Sequence, residues 1–177
     1  MFNAFKHLDR QNNRGMTLVE LMIVVAIVGI LASIGGVAFL RQVKRAKISK
    51  MEAHTMNLAN GQEQLRSNHG VYLPAPPAVA PIVATRDSDS DTKRKLGNLL
   101  NFKLDDLDPG MTIHLVTGEA NITCNQGPTG ACGSVGTPTS NWYMVAVEMD
   151  MDGKGAPNTI VVRSSNNKNV NILNEGQ

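Results

Sequence analysis

The chain is poor in the residues that most often carry chemistry. Among 177 residues there are two cysteines, both late in the sequence, and four scattered histidines. A Cys/His zinc site and a Cys–His catalytic pair therefore find no support. No Ser/His/Asp ordering, paired-acid site or phosphate-binding loop stands out, so neither an enzyme nor a bound cofactor or metal is expected. Aromatics make up 4% and charged residues 18%. The hydrophobic share, 42%, is too high for a disordered chain. The length allows one domain plus an appendage, not several large domains. The formal charge of +2 gives no global basic excess for nucleic acid.

That small net charge conceals an uneven distribution. Residues 1–15 carry Lys6, Arg10 and Arg14 against Asp9. Residues 16–40 carry a single charge, Glu20. Residues 41–50 then bring Arg41, Lys44, Arg45, Lys47 and Lys50 with no acid, and the remainder is net acidic.

Residues 16–40 read MTLVELMIVVAIVGILASIGGVAFL. As a helix they would span about 37 Å, against about 30 Å for a bilayer core. A cleavable secretory signal would have an apolar run of only about 7–15 residues. The stretch is therefore read as a membrane-spanning helix, while the small residues Ala32, Ser33, Gly35 and Gly36 keep such a signal, cut near Ser33, as the alternative. Glu20 is its anomaly, because a carboxylate at the centre of a membrane helix costs about 2.5–3.5 kcal/mol. Gly15 precedes Met16, and a cut between them would place a new α-amino cation four residues before Glu20. The first turn of a helix also favours an acid through the helix dipole.

From Arg14 through Gly15, Met16, Thr17, Leu18, Val19 and Glu20 to Ala32, the sequence resembles the class III signal of type IV pilins and related pseudopilins. The resemblance implies cleavage after Gly15 by a prepilin peptidase and N-methylation of Met16. It also implies roles in assembly for Thr17 and Glu20, and a protein that is not an enzyme. Met16 stands where phenylalanine is usual, and Val37 stands where the family commonly has proline. Gly35 and Gly36 precede Val37, and adjacent glycines weaken a helix by about 1 kcal/mol each. They are expected to replace the proline as the place where the helix bends or melts. Counting positive charge alone would leave the C-terminal region in the cytoplasm. The resemblance implies the reverse, with the leader cytoplasmic, the head outside, and the basic cluster against lipid headgroups.

Beyond Leu40, Val43, Met51, Leu58 and Leu65 form an apolar stripe at helical period, with Ala46 and His54 on or beside it. Gly61 is a weak point, and Asn68-His69-Gly70 is a terminator with Gly70 as left-handed cap. His54 is read as a partly buried core histidine. Residues 71–95 hold four prolines and an RDSDSD run, and are expected to be an exposed connector without a regular core element. Residues 96–104 read as a short helical turn. Strands are predicted at 112–117, 142–149, 159–163 and 169–173, the last three as an antiparallel meander. Residues 142–149 alternate in part, as a half-buried strand would. The fold class is thus α+β, a long N-terminal helix packed on a small antiparallel sheet of three or four strands. The order of these pieces again resembles a type IV pilin head.

The expected organisation is a leader (1–15), a membrane or filament-core helix (16–40), its amphipathic continuation (41–69) and a head (70–177). With the head outside the cytoplasm, Cys124 and Cys132 are expected to form a disulfide around a seven-residue loop. The chain-entropy estimate for so short a loop is about 2–3 kcal/mol. Asp150-Met151-Asp152-Gly153 lacks the further ligands of a calcium loop and reads as a hairpin turn. The expected function is a pilus subunit that polymerises into a surface filament for adhesion, motility or DNA uptake. Its partners would be copies of itself, the peptidase, the inner-membrane assembly machinery and membrane lipid, with nucleic acid not primary. A minor pilin, a type II secretion pseudopilin and a non-polymerising membrane-anchored binding protein are the alternatives.

Overall fold

A computed structural model describes residues 15–73, 81–124, 127–128, 130–155 and 157–173. The segment through Arg14, predicted as leader, and the prolines at 74, 76 and 77 lie outside the described residues. The chain divides into two units, one ending at Val43 and one beginning at Lys44.

Helix α1 runs over Leu18–His69. In the second unit its inward positions are Met51, Thr55, Leu58, Ala59, Gln62 and Leu65, all buried. Their spacing of three and four residues keeps them on one face of a 3.6-residue helix. Val43 and Ala46 are exposed, so the buried stripe begins at Met51. The helix ends as its residues predict. Gly70 takes φ +76° and its N–H donates to the Arg66 carbonyl at 2.7 Å.

Residues 71–95 are not the plain connector that their composition predicts. Strand β1, Ile82–Thr85, lies inside them, with Ala84 fully buried. It is the outer strand of the sheet, and Pro81 stands just before its first residue, where no ladder N–H is needed. Helix α2, Ser90–Leu100, begins within the RDSDSD run. Asp89 is its N-cap and accepts from the Thr92 N–H at 3.0 Å and the Thr92 hydroxyl at 2.6 Å. The acidic and serine residues therefore start a helix rather than prevent one. Asn101, at φ +51°, closes α2 in the left-handed region. A single 3₁₀ turn follows at Leu104–Asp106.

Strands β2 (Met111–Gly118), β3 (Trp142–Met149), β4 (Thr159–Ser164) and β5 (Asn171–Leu173) complete an antiparallel sheet in the order β1-β2-β3-β4-β5. It has five strands, one more than the sequence pattern predicts, the addition being β1. One face packs Ile113, Leu115, Val145, Val147 and Val161 against Met51, Leu58 and Leu65 of α1. The opposite face carries Val116, Trp142, Met144, Ala146, Ile160 and Val162 under Ala131 and Val135. Those two covering residues belong to the β2–β3 connection and its 3₁₀ turn, Ala131–Ser134. β3 is therefore buried on both sides except at Glu148, not half-buried as alternation predicts. Its outward positions are apolar because a long connection folds back over them.

The segment leaving α1 is held by Gln62, fully buried. Its amide nitrogen donates to the Leu73 carbonyl, and its amide oxygen accepts from the Leu73 N–H at 2.8 Å. One side chain thus satisfies both backbone groups of a residue entering the core.

Gly61 is not a weak point. It is buried, and a Cβ there would lie 2.7 Å from the Leu100 carbonyl oxygen, so the glycine lets α2 approach α1 closely. Gly61→Ala gains about 1 kcal/mol of helix propensity but must push backbone aside, which costs about 1–3 kcal/mol. A net loss of stability is expected, read as a lowered unfolding midpoint of the detergent-solubilised protein.

His54 is half-buried, as the sequence predicts, and packs edge-on against Phe102 with ring centroids 5.6 Å apart. Its Nε2 is buried without a hydrogen-bond partner among the described residues. Burial, and next the nearby Lys50 charge, hold its pKa below the usual histidine value. Below about pH 6.5 the unfolded chain therefore takes up the proton before the folded one, and stability falls as pH drops. His54→Leu is expected to flatten the fall in melting temperature between about pH 7 and 5.

Candidate functional site at the N-terminal end of the first helix

The membrane-type stretch begins with a local structure that accounts for Glu20. Thr17 immediately precedes Leu18, the first residue of α1. The Glu20 N–H donates to Thr17 Oγ1 at 3.2 Å. In return the Thr17 N–H and the Thr17 hydroxyl each donate to Glu20 Oε2 at 3.1 Å. This is a reciprocal capping box, with threonine at the N-cap and glutamate three residues on. The signal, Thr-x-x-Glu before an apolar run, stood in the sequence, where Glu20 reads as an acid without a partner. Glu20 Oε1 makes no hydrogen bond among the described residues.

Gly15 and Met16 are both exposed, and no atom lies within 4 Å of where a Gly15 Cβ would stand. From Leu18 to Leu31 the large apolar side chains are about half exposed or more, from 49% at Val24 to 75% at Leu18. An 18-residue window of this helix is apolar enough to cross a membrane, and none of it is buried within the chain. Gly29 and Gly36 have open space where a Cβ would stand. Helical backbone continues through Gly35 and Gly36.

In the second unit Lys50 pairs with Asp108 at 2.6 Å, so the basic cluster is partly tied to the head. Cys124 and Cys132 form the expected disulfide, with Cα atoms 5.3 Å apart. The bridge lies in the connection covering the second face of the sheet, where Cys124 packs against the Val116–Trp142 cluster.

The Asp150 turn joins β3 to β4. Asp150 accepts backbone N–H groups from Asp152 at 3.1 Å, Gly153 at 2.8 Å and Gly155 at 2.7 Å. Lys154 holds Asp152 down at about 2, by the ammonium at 3.1 Å and its own N–H. Both carboxylates organise the loop. Among the described residues no three potential metal-ligating side chains come together. A cleft of about 430 Å³ beside Arg66, Tyr72 and Trp142 and another of about 630 Å³ beside β5 gather no cluster of titratable groups. The end of α1 is thus where sequence and geometry converge.

Residues 10–36 match the family model described as the prokaryotic N-terminal methylation motif. The fimbrial protein EcpC of Eikenella corrodens is 44% identical over 80 residues, 43% of this chain and 49% of that protein. The alignment therefore spans about half the length of this curated relative. No solved structure matches the chain.

Proposed function

We propose, from the type IV pilin signal at residues 10–36 and the pilin-like arrangement of helix and sheet, that this chain is a structural subunit of a type IV pilus. The precursor sits in the inner membrane with its leader in the cytoplasm and its head outside. A prepilin peptidase cuts after Gly15 and Met16 becomes N-methylated. The assembly machinery then extracts the subunit from lipid into a surface filament. The observation that carries this reading is the capped Glu20 at the start of an uncovered apolar helix.

Cleavage retains the N–H and hydroxyl of Thr17, so Glu20 Oε2 can stay engaged with its own helix end. Oε1 is then left for an α-amino cation. Moving an apolar helix from lipid into a filament gains little from the hydrophobic effect, so packing and polar pairing must supply the specificity. Gly29 and Gly36 offer places for close helix approach. A repeated head-to-tail contact that does not close gives a filament.

The N-terminal mass of protein isolated from its own cells tests the reading. A chain beginning at N-methylated Met16 is expected. An intact leader, or trimming downstream near Ser33, would overturn it. A minor pilin or secretion pseudopilin shares this chemistry, and purified surface fibres separate them, because a main subunit dominates their protein content.

A further inference from the structure

One three-residue motif takes no part in this function. Asn121-Ile122-Thr123 has the form Asn-x-Ser/Thr, the acceptor pattern for N-glycosylation of surface loops in exported proteins. We propose that Asn121 is a glycan acceptor, modified on its side-chain nitrogen from a lipid-linked glycosyl diphosphate. The proposal rests on the reading that the head stands outside the cytoplasm.

The motif's placement carries the inference. Asn121, Ile122 and Thr123 are all exposed, in the turn that leaves β2. The backbone is pinned on three sides. The Asn121 N–H donates to the Pro138 carbonyl at 2.8 Å, the Ile122 N–H to the Glu119 carbonyl at 3.2 Å, and Trp142 Nε1 to the Ile122 carbonyl at 3.0 Å. By contrast, neither the Asn121 amide nor the Thr123 hydroxyl makes a hydrogen bond among the described residues. The acceptor and its hydroxyl partner are thus free on a fixed turn.

Asparagine at φ +62° has a conformational explanation of its own, since it tolerates the left-handed region. That explains Asn121 but not a threonine two residues later. Nor does it explain Ile122, 51% exposed among the described residues, which a glycan on its neighbour would shield. Glu119, also exposed, sets a carboxylate two residues before the acceptor, where a cationic group on a transferase can hold it.

In the transfer, Asn121 Nδ2 forms a bond to the anomeric carbon of the donor. The bond from that carbon to the diphosphate oxygen breaks, its electron pair leaving with the lipid diphosphate. One amide proton passes to a base of the transferase.

Mass spectrometry of protein from its own cells tests this on the fragment from Ala120 to Glu148. A glycan mass localised to Asn121 is expected. Thr123→Ala should remove it and Thr123→Ser should retain it, and neither touches the left-handed residue. A bare Asn121 in protein whose N-terminus is N-methylated Met16 overturns this proposal and leaves the pilin reading standing. A glycan that survives Thr123→Ala also overturns it. A bare Asn121 in uncut protein sinks both together.

Discussion

Glu20→Ala protein is expected to be cut after Gly15 as efficiently as the parent and to be missing from sheared surface filaments. Two roles of the carboxylate are separable here. As the third helical residue it accepts from the Thr17 N–H and hydroxyl, a capping role that glutamine can also fill. As a charge it would, on the proposed reading, pair with the terminus that cleavage creates, which glutamine cannot do. Losing an N-cap interaction costs about 0.5–2 kcal/mol of helix stability, and an end turn can fray by that much without loss of the helix. An α-ammonium left without its carboxylate in an apolar filament core is far more costly, because no water replaces it. Glu20→Gln should therefore fail like Glu20→Ala, while Thr17→Val, which keeps the charge, should reduce filament yield without abolishing it. Normal filaments from Glu20→Gln would show that capping alone matters. Filament counts by electron microscopy, with immunoblots for the cleaved chain, decide between the two.

The second large effect is expected at Gly118, the last residue of β2. It pairs with Trp142, and a Cβ on Gly118 would stand 2.4 Å from the indole ring. The ring has little freedom to move. It is 2% exposed, its Nε1 donates to the Ile122 carbonyl at 3.0 Å, and it belongs to the cluster under the disulfide-bearing connection. Gly118→Ala must expel the indole from that cluster or part β2 from β3. Overpacking costs about 1–3 kcal/mol, and an emptied aromatic site about 3–5 kcal/mol. A total near the upper part of this range is expected, a large fraction of the stability of an ordinary domain. Loss of the near-ultraviolet signal of Trp142, the single tryptophan, at temperatures where the parent is folded would report it. An unchanged melting temperature would show that the turn after β2 yields more easily than its hydrogen bonds imply.

Local signals in the sequence determined much of this protein. The apolar run, the helix end at Gly70, the inward stripe from Met51 to Leu65 and four of the five strands follow from spacing along a few adjacent residues. The capping box of Thr17 and Glu20 and the N-cap of Asp89 are equally local, since both are carried within four consecutive positions. Glu20 reads as partnerless, and the Asp-Ser run as a breaker, only while composition is weighed without position. Tertiary structure alone decided the rest. Gly61 and Gly118 are required by a backbone carbonyl and an indole ring distant in the sequence, and at both the missing Cβ is a question of space, not of propensity. Gln62 is buried because Leu73 needs two partners. β1 exists because β2 offers it an edge, and β3 is buried on both faces because a disulfide-bearing connection returns over it. These depend on which distant segments meet, and burial is a property of the meeting, not of either segment alone.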